Sequence, residues 1–238
     1  MYQRDLFPTL KRHLKTKETV VITGMRRVGK TTILRQMFDL LPEAENKLFL
    51  DLENPLNRKY FEDQDYDGIA ATLSVLGINP RRRAFIFLDE AQYSPTLPSA
   101  IKYLSDHYQM KFFLTGSASF YLKHLFTESL AGRKRLFELY PLSFSEFLKF
   151  KEETLQLPKP LIDTEAVYRR IQRRYEEYVL FGGFPEVVLK TSAREKTEAL
   201  QEIFTSYFNK EVVELGDFRK NQVIRDLILL LMERIGSK

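Results

Sequence analysis

The stretch TVVITGMRRVGKTTILRQMFDLL, residues 19–41, leaves a folding chain few options. An apolar run of strand character ends in Gly24, two arginines follow, and Gly29-Lys30-Thr31 opens a helical pattern. Two glycines five residues apart, with Lys and Thr after the second, let a backbone wrap closely around an anion. Successive N–H groups from about Val28 to Thr32 then point inward, and the helix adds its positive end. In such a phosphate loop, the Walker A pattern, Lys30 reaches the β and γ phosphates and the Thr31 hydroxyl binds Mg2+. Gly24, Met25, Arg26, Arg27, Val28, Gly29, Lys30, Thr31 and Thr32 together form a candidate nucleotide cradle. Arg26 and Arg27 occupy its variable positions, where they add charge near the phosphates or pair on the surface.

Further strand-like runs follow: NKLFLDLE, RAFIFLDE, KFFLTGS and RLFELYPL, with helical spacing between them. Continuous apolar runs suit strands covered on both faces, so the expectation is a parallel sheet in a wound α/β core. Beyond Pro141 the pattern turns helical, with a helix predicted to end near Gly182-Gly183. The core is placed at about 1–150 and a helical portion after it.

The strand AFIFLDE carries the second chemical signal, because Asp89 and Glu90 end it about sixty residues after the loop. Asp89 is expected to hold Mg2+ in the Walker B role. Glu90 would face the γ-phosphate, where a carboxylate can orient and deprotonate water. That favours hydrolysis over transfer to a small-molecule acceptor. FFLTGS ends a strand expected beside the acidic one, so Thr115 or Ser117 is a candidate sensor of the γ-phosphate or the water. The alternative is a polar turn that caps the next helix, which Ser117 or Ser119 suits.

Composition narrows the remaining classes. The chain has 238 residues and no cysteine, which excludes disulfides, Cys-based zinc sites and a thiol nucleophile. The amino terminus lacks the apolar centre of a signal peptide, and LILLLM is far too short to cross a bilayer. The expectation is a cytoplasmic protein without membrane contact. A formal net charge of +5 permits nucleic-acid contact without requiring it. His13, His107 and His124 show no metal-ligand spacing. Arg81-Arg82-Arg83, and Arg169, Arg170, Arg173 and Arg174, read either as a nucleic-acid footprint or as solvated faces. For both groups the solvated reading is preferred, since Glu176 and Glu177 follow the second within salt-bridging reach on the same helix.

In their order, ITGMRRVGKTT, FLDEAQ, LTGSAS, LAGRKRLFELYPLSFSEFL and FGGFPEV resemble the prokaryotic AAA+-type ATPases that carry a C-terminal domain of unknown function. The resemblance spans nearly the whole chain. It implies a P-loop NTPase sandwich of the ASCE type with strand order 5-1-4-3-2, followed by a helical lid at 151–215. It also implies the start of a winged-helix-like region at 216–238, cut short relative to family members. Arg133, from LAGR, falls where a γ-phosphate-sensing arginine acts, in cis or from a neighbouring subunit; its alternative is an ion pair. Pro185 is similar to a proline that packs on adenine at the start of the lid in related signalling ATPases, and it equally begins a helix. The expected cofactors are ATP and Mg2+. Candidate partners are DNA, a second copy of the chain, or another protein. The competing readings are a non-hydrolysing nucleotide-gated interaction module and a small-molecule phosphotransferase.

Overall fold

The computed structural model describes residues 2–63, 65–117, 132–152 and 165–207, with Leu230 in addition. Five parallel strands form one sheet: β1 (Thr19–Gly24), β2 (Lys47–Asp51), β3 (Ala84–Asp89), β4 (Met110–Ser117) and β5 (Lys134–Glu138). Their spatial order is β2-β3-β4-β1-β5, the order expected from the resemblance read from the other side. All five strand runs singled out in the sequence are strands here.

Side-chain alternation along the central strands divides the core into two layers. Val20, Ile22, Phe87 and Phe113 face one side, against α1 (Phe7–Arg12) and α2 (Lys30–Asp39) through Leu10, Ile33, Leu34 and Met37. Val21, Ile86, Leu88, Phe112 and Leu114 face the other. There they meet α4 (Tyr66–Val75) and α5 (Leu97–His107), through Ile69, Leu73, Ile101 and Leu104. The short helix α3 (Pro55–Lys59), capped by Asn54, leads from β2 toward α4. The sheet is covered on both faces, which is why its central strands read as unbroken apolar runs.

After β5 the chain turns away from the sheet. Helix α6 (Phe144–Phe150) starts in a reciprocal cap between Ser143 and Glu146. Its Phe147, Leu148 and Phe150 pack with Leu142, Val188 and Tyr178, so its partners are the helices that follow. Those are α7 (Glu165–Phe181), α8 (Pro185–Leu189) and α9 (Ala193–Tyr207). Helix α7 ends at Gly182, whose φ of 71° is the left-handed conformation that glycine tolerates at a helix terminus. Gly183 is required for closeness instead: a Cβ there would lie 2.3 Å from the Leu142 carbonyl oxygen. The expected helix over ASFYLKHLF and the segment 216–238, apart from Leu230, lie outside the described residues, as does His124.

One carboxylate joins the helical portion. Glu177 on α7 receives the ammonium of Lys196 on α9, Lys151 at the end of α6 (3.0 Å) and Arg174 (3.1 Å). Burial alone would raise this carboxyl, but the two lysines outweigh it and hold it down at about 2. A carboxylate lowered in the folded state stabilises above its unfolded value, about 4.5, and that stability fades as pH falls toward 2. Glu177→Gln is therefore expected to lower Tm at pH 7, and the gap to the parent should narrow between pH 4.5 and 3 in thermal melts followed by circular dichroism. The nearby Arg169 pairs with Glu165 on its own helix with both side chains exposed, as a solvated face does, whereas Arg174 belongs to the half-buried Glu177 cluster.

Candidate nucleotide site

The loop between β1 and α2 is the candidate cradle singled out in the sequence. Gly29 takes φ 96° as the N-cap of α2, and Arg27 is left-handed at 61°. Gly24 is irreplaceable for a second reason: a Cβ there would sit 2.2 Å from the Leu139 carbonyl oxygen. Leu139 approaches so closely because its N–H donates to the Thr23 carbonyl at 2.7 Å. Lys30 is buried, and its ammonium folds back over the loop to donate to the carbonyls of Gly24 (3.0 Å) and Met25 (2.8 Å). Thr31 and Thr32 follow in the first turn of α2.

The acidic pair lies on the same edge of the sheet, because β1, β3 and β4 are parallel and all end there. Phe87 and Phe113 face the α2 side, so Asp89 and Thr115, two residues further along each strand, point to that side as well. The Thr115 hydroxyl donates to Asp89 Oδ1 and accepts the Glu90 N–H at 3.1 Å. One hydroxyl thus ties the orientation of both acidic residues. Asp89 is 4% exposed and Glu90 half-buried, the latter at φ 54°. Ser117 is buried and sits level with Gly24 in the register of β4 against β1.

Several residues at this site were not singled out in the sequence. The Gln92 amide donates to Glu90 Oε2, which occupies the carboxylate expected to handle water. Arg4 is buried and donates to the Val28 carbonyl at 2.8 Å and the Tyr140 carbonyl at 2.7 Å. It also pairs with Glu146 through Nε (2.8 Å) and Nη2 (3.3 Å). Burial opposes ionisation of Glu146, but Arg4 and the N–H groups of Asp5 and Ser143 hold its carboxyl below the ordinary value.

The helical portion touches the loop at two points. Arg27 pairs with Glu186 on α8 (3.0 Å) and Glu202 on α9 (3.4 Å). The Pro185 ring reaches within 4.0 Å of where a Gly29 side chain would begin. The two sequence readings of Pro185 are thus compatible, since it both starts α8 and overhangs the loop.

For Arg133 the structure shows the ion-pair alternative and speaks against a role in cis. Arg133 precedes β5, and a residue that precedes a parallel strand lies on the amino-terminal edge, a strand length away from the loop. Five residues of strand separate the edges by roughly 16 Å. Its guanidinium pairs with Asp106 at 2.6 Å, so within this chain it does not reach the phosphates.

With this geometry in place, similarity to known proteins adds the family. Residues 16–148 match the AAA domain family, and residues 172–238 match a domain of unknown function. The chain belongs to the AAA domain family. An uncharacterized protein of Methanocaldococcus jannaschii is 31% identical over 218 residues, covering 89% of this chain and 46% of its own. An uncharacterized protein of Haemophilus influenzae is 26% identical over 221 residues, covering 91% and 52%. The chain thus spans about half the length of these relatives. Among solved structures, it is similar to a chain of Drosophila ORC bound to DNA (TM-score 0.43, 8% identity, 58% of this chain and 89% of that one). It is also similar to PCH-2 of C. elegans (TM-score 0.40, 15% identity, 61% and 42%). The sheet order and the family match carry the assignment to a P-loop fold, and membership supports nucleotide binding. Among the described residues no helix is long and apolar enough to cross a membrane.

Thr115→Val keeps the shape of the strand but frees Asp89 and Glu90. Supporting groups of this kind are worth about 10–100-fold in metal affinity or activity. Thr115→Val is expected to lose about that factor in any Mg2+-dependent phosphate release while Tm stays near the parent value.

Proposed function

We propose that this protein binds ATP with Mg2+ and hydrolyses it, with the helical portion acting as a lid that senses the occupied loop. The observation that carries this reading is the placement of the Lys30 loop and the Asp89–Glu90 pair on one edge, with Asp89 turned toward the face that carries α2.

The chemistry of the donors fits the ligands. Loop N–H groups and Lys30 suit an anionic triphosphate tail, and on binding Lys30 would exchange the Gly24 and Met25 carbonyls for phosphate oxygens. Thr31 and Asp89 offer two hard oxygen ligands, the small protein share that Mg2+ takes when phosphates and water supply the rest. Bound there, the ion would neutralise charge that develops on the transferring phosphoryl group. Glu90 would accept a proton from the attacking water once the Gln92 amide releases it. Pro185 would border the base, and Arg27 would exchange its lid carboxylates for phosphate, loosening α8 and α9 from the loop.

The Gln92–Glu90 contact also favours a second reading, a nucleotide-gated interaction module with little turnover. Phosphate release separates the two. Positioned general bases contribute about 10²–10⁴-fold. Glu90→Gln is expected to keep ATP binding and lose turnover by at least a hundredfold, whereas Lys30→Ala weakens both. Parent-level hydrolysis by Glu90→Gln would contradict the base assignment, and no phosphate release by the parent would leave the gated module.

A further inference from the structure

At the amino-terminal edge of the sheet, opposite the phosphate loop, the chain encloses a cavity of about 680 Å3. Parallel strands make this edge a row of strand beginnings. Arg83 precedes β3, Lys111 lies in the first residues of β4, Lys17 comes just before β1, and Arg133 precedes β5. In the spatial order β3-β4-β1-β5 these four cations follow one another across the sheet. Strands lie about 4.8 Å apart, so the row is on the order of 14 Å long. Lys15 and Lys102 line the same cavity, against two carboxylates among the described residues, Glu18 and Asp106.

This is more than a solvated charged face. Lys111 is 2% exposed, and its ammonium donates to the Glu18 carbonyl and to Thr16 Oγ1 at 3.3 Å. Burial pushes its pKa down to about 8, so its charge persists at neutral pH at a cost that a bound anion would relieve. Ser105 Oγ, also on the cavity wall, is buried with no hydrogen-bond partner among the described residues. Among the described residues Lys15, Lys17 and Lys102 likewise have no ion-pair partner, and Arg133 pairs with the exposed Asp106. Arg83, which ends the basic triplet, and Arg133, the LAGR arginine, meet here.

We propose that this cavity is a second anion site, which takes the phosphate backbone of a nucleic acid without reading its bases. A linear row of cations about 5 Å apart suits a repeating polyanion. An acidic peptide would also need anchoring pockets, and among the described lining residues Met110 is the one apolar side chain, glycine aside. At 3.4 Å per phosphate along a strand, the row spans about four phosphates. With a slope of about −0.7 per phosphate for single strands, affinity should fall with salt at a log–log slope of about −2 to −3.

The test is fluorescence anisotropy of a 5′-labelled 20-nucleotide oligothymidylate and a labelled 20-base-pair duplex, titrated with the full chain across a salt series. A fluorescent ATP analogue is titrated in parallel. The parent is expected to bind at least one nucleic acid with that slope, and the two arms tell a single strand from a duplex. Lys15→Ala/Lys17→Ala/Lys102→Ala is expected to weaken binding at least tenfold and flatten the slope, with the affinity for the ATP analogue unchanged. These lysines lie outside the nucleotide site, so failure of the ATP arm bears on the ATPase reading alone. The proposal is overturned if the parent binds neither nucleic acid at low salt, or if the triple variant binds as the parent does. Binding of labelled poly-L-glutamate as tight as that of the oligonucleotides would also overturn it.

Discussion

A loop that offers its N–H groups to phosphate must send its carbonyl oxygens elsewhere, and here each direction has a physical cause. The Val28 carbonyl is taken by Arg4, the Thr23 carbonyl by the Leu139 N–H, and the carbonyls of Gly24 and Met25 by Lys30. Three distant pieces of chain therefore converge on the back of one loop: the amino-terminal segment, the exit from β5, and α6 through Glu146. The Arg4–Glu146 pair can be buried because nearly every polar atom of both side chains is bonded. Without such satisfaction the desolvation of two charges would exceed their attraction.

From that anchored loop the rest of the site follows by sheet geometry. Parallel strands deliver their carboxyl ends to one edge, which in open α/β sheets is where ligands bind. The pleat then decides which face each side chain occupies, and it turns Asp89 and Thr115 to the side where α2 begins. The helices after β5 are joined to the loop by charge through Arg27 and by contact through Pro185. An occupant of the loop would compete directly with the Arg27 pairs, which is the simplest route from nucleotide to lid.

What the sequence made legible was chemistry whose parts lie close together in the chain. The Gly24–Thr31 spacing, the strand runs and Asp89-Glu90 are local patterns, and each sits in the structure as its pattern required. Even the matching parity of Phe87/Asp89 and Phe113/Thr115 could have been read, and it would have assigned Thr115 to the acidic pair. The pairs Arg4–Glu146, Arg27–Glu186 and Arg27–Glu202 could not, because their partners lie 142, 159 and 175 residues apart. Arg133 shows a different limit. Its place in the LAGR motif implied a γ-phosphate-sensing arginine, in cis or from a neighbouring subunit, or an ion pair. Its place before a parallel strand puts it on the far edge, where it pairs with Asp106 beside a second set of cations.

The central claim is that Lys30 and Asp89 act on one triphosphate tail, the second through Mg2+. The most direct measurement is the affinity of a fluorescent ATP analogue with and without Mg2+ for the parent and for Asp89→Asn. The account predicts that Mg2+ tightens binding to the parent, and that Asp89→Asn keeps the metal-free affinity but loses most of that gain. A full Mg2+ gain in the asparagine variant would contradict it, because the acidic strand end and the phosphate loop would then not share a ligand.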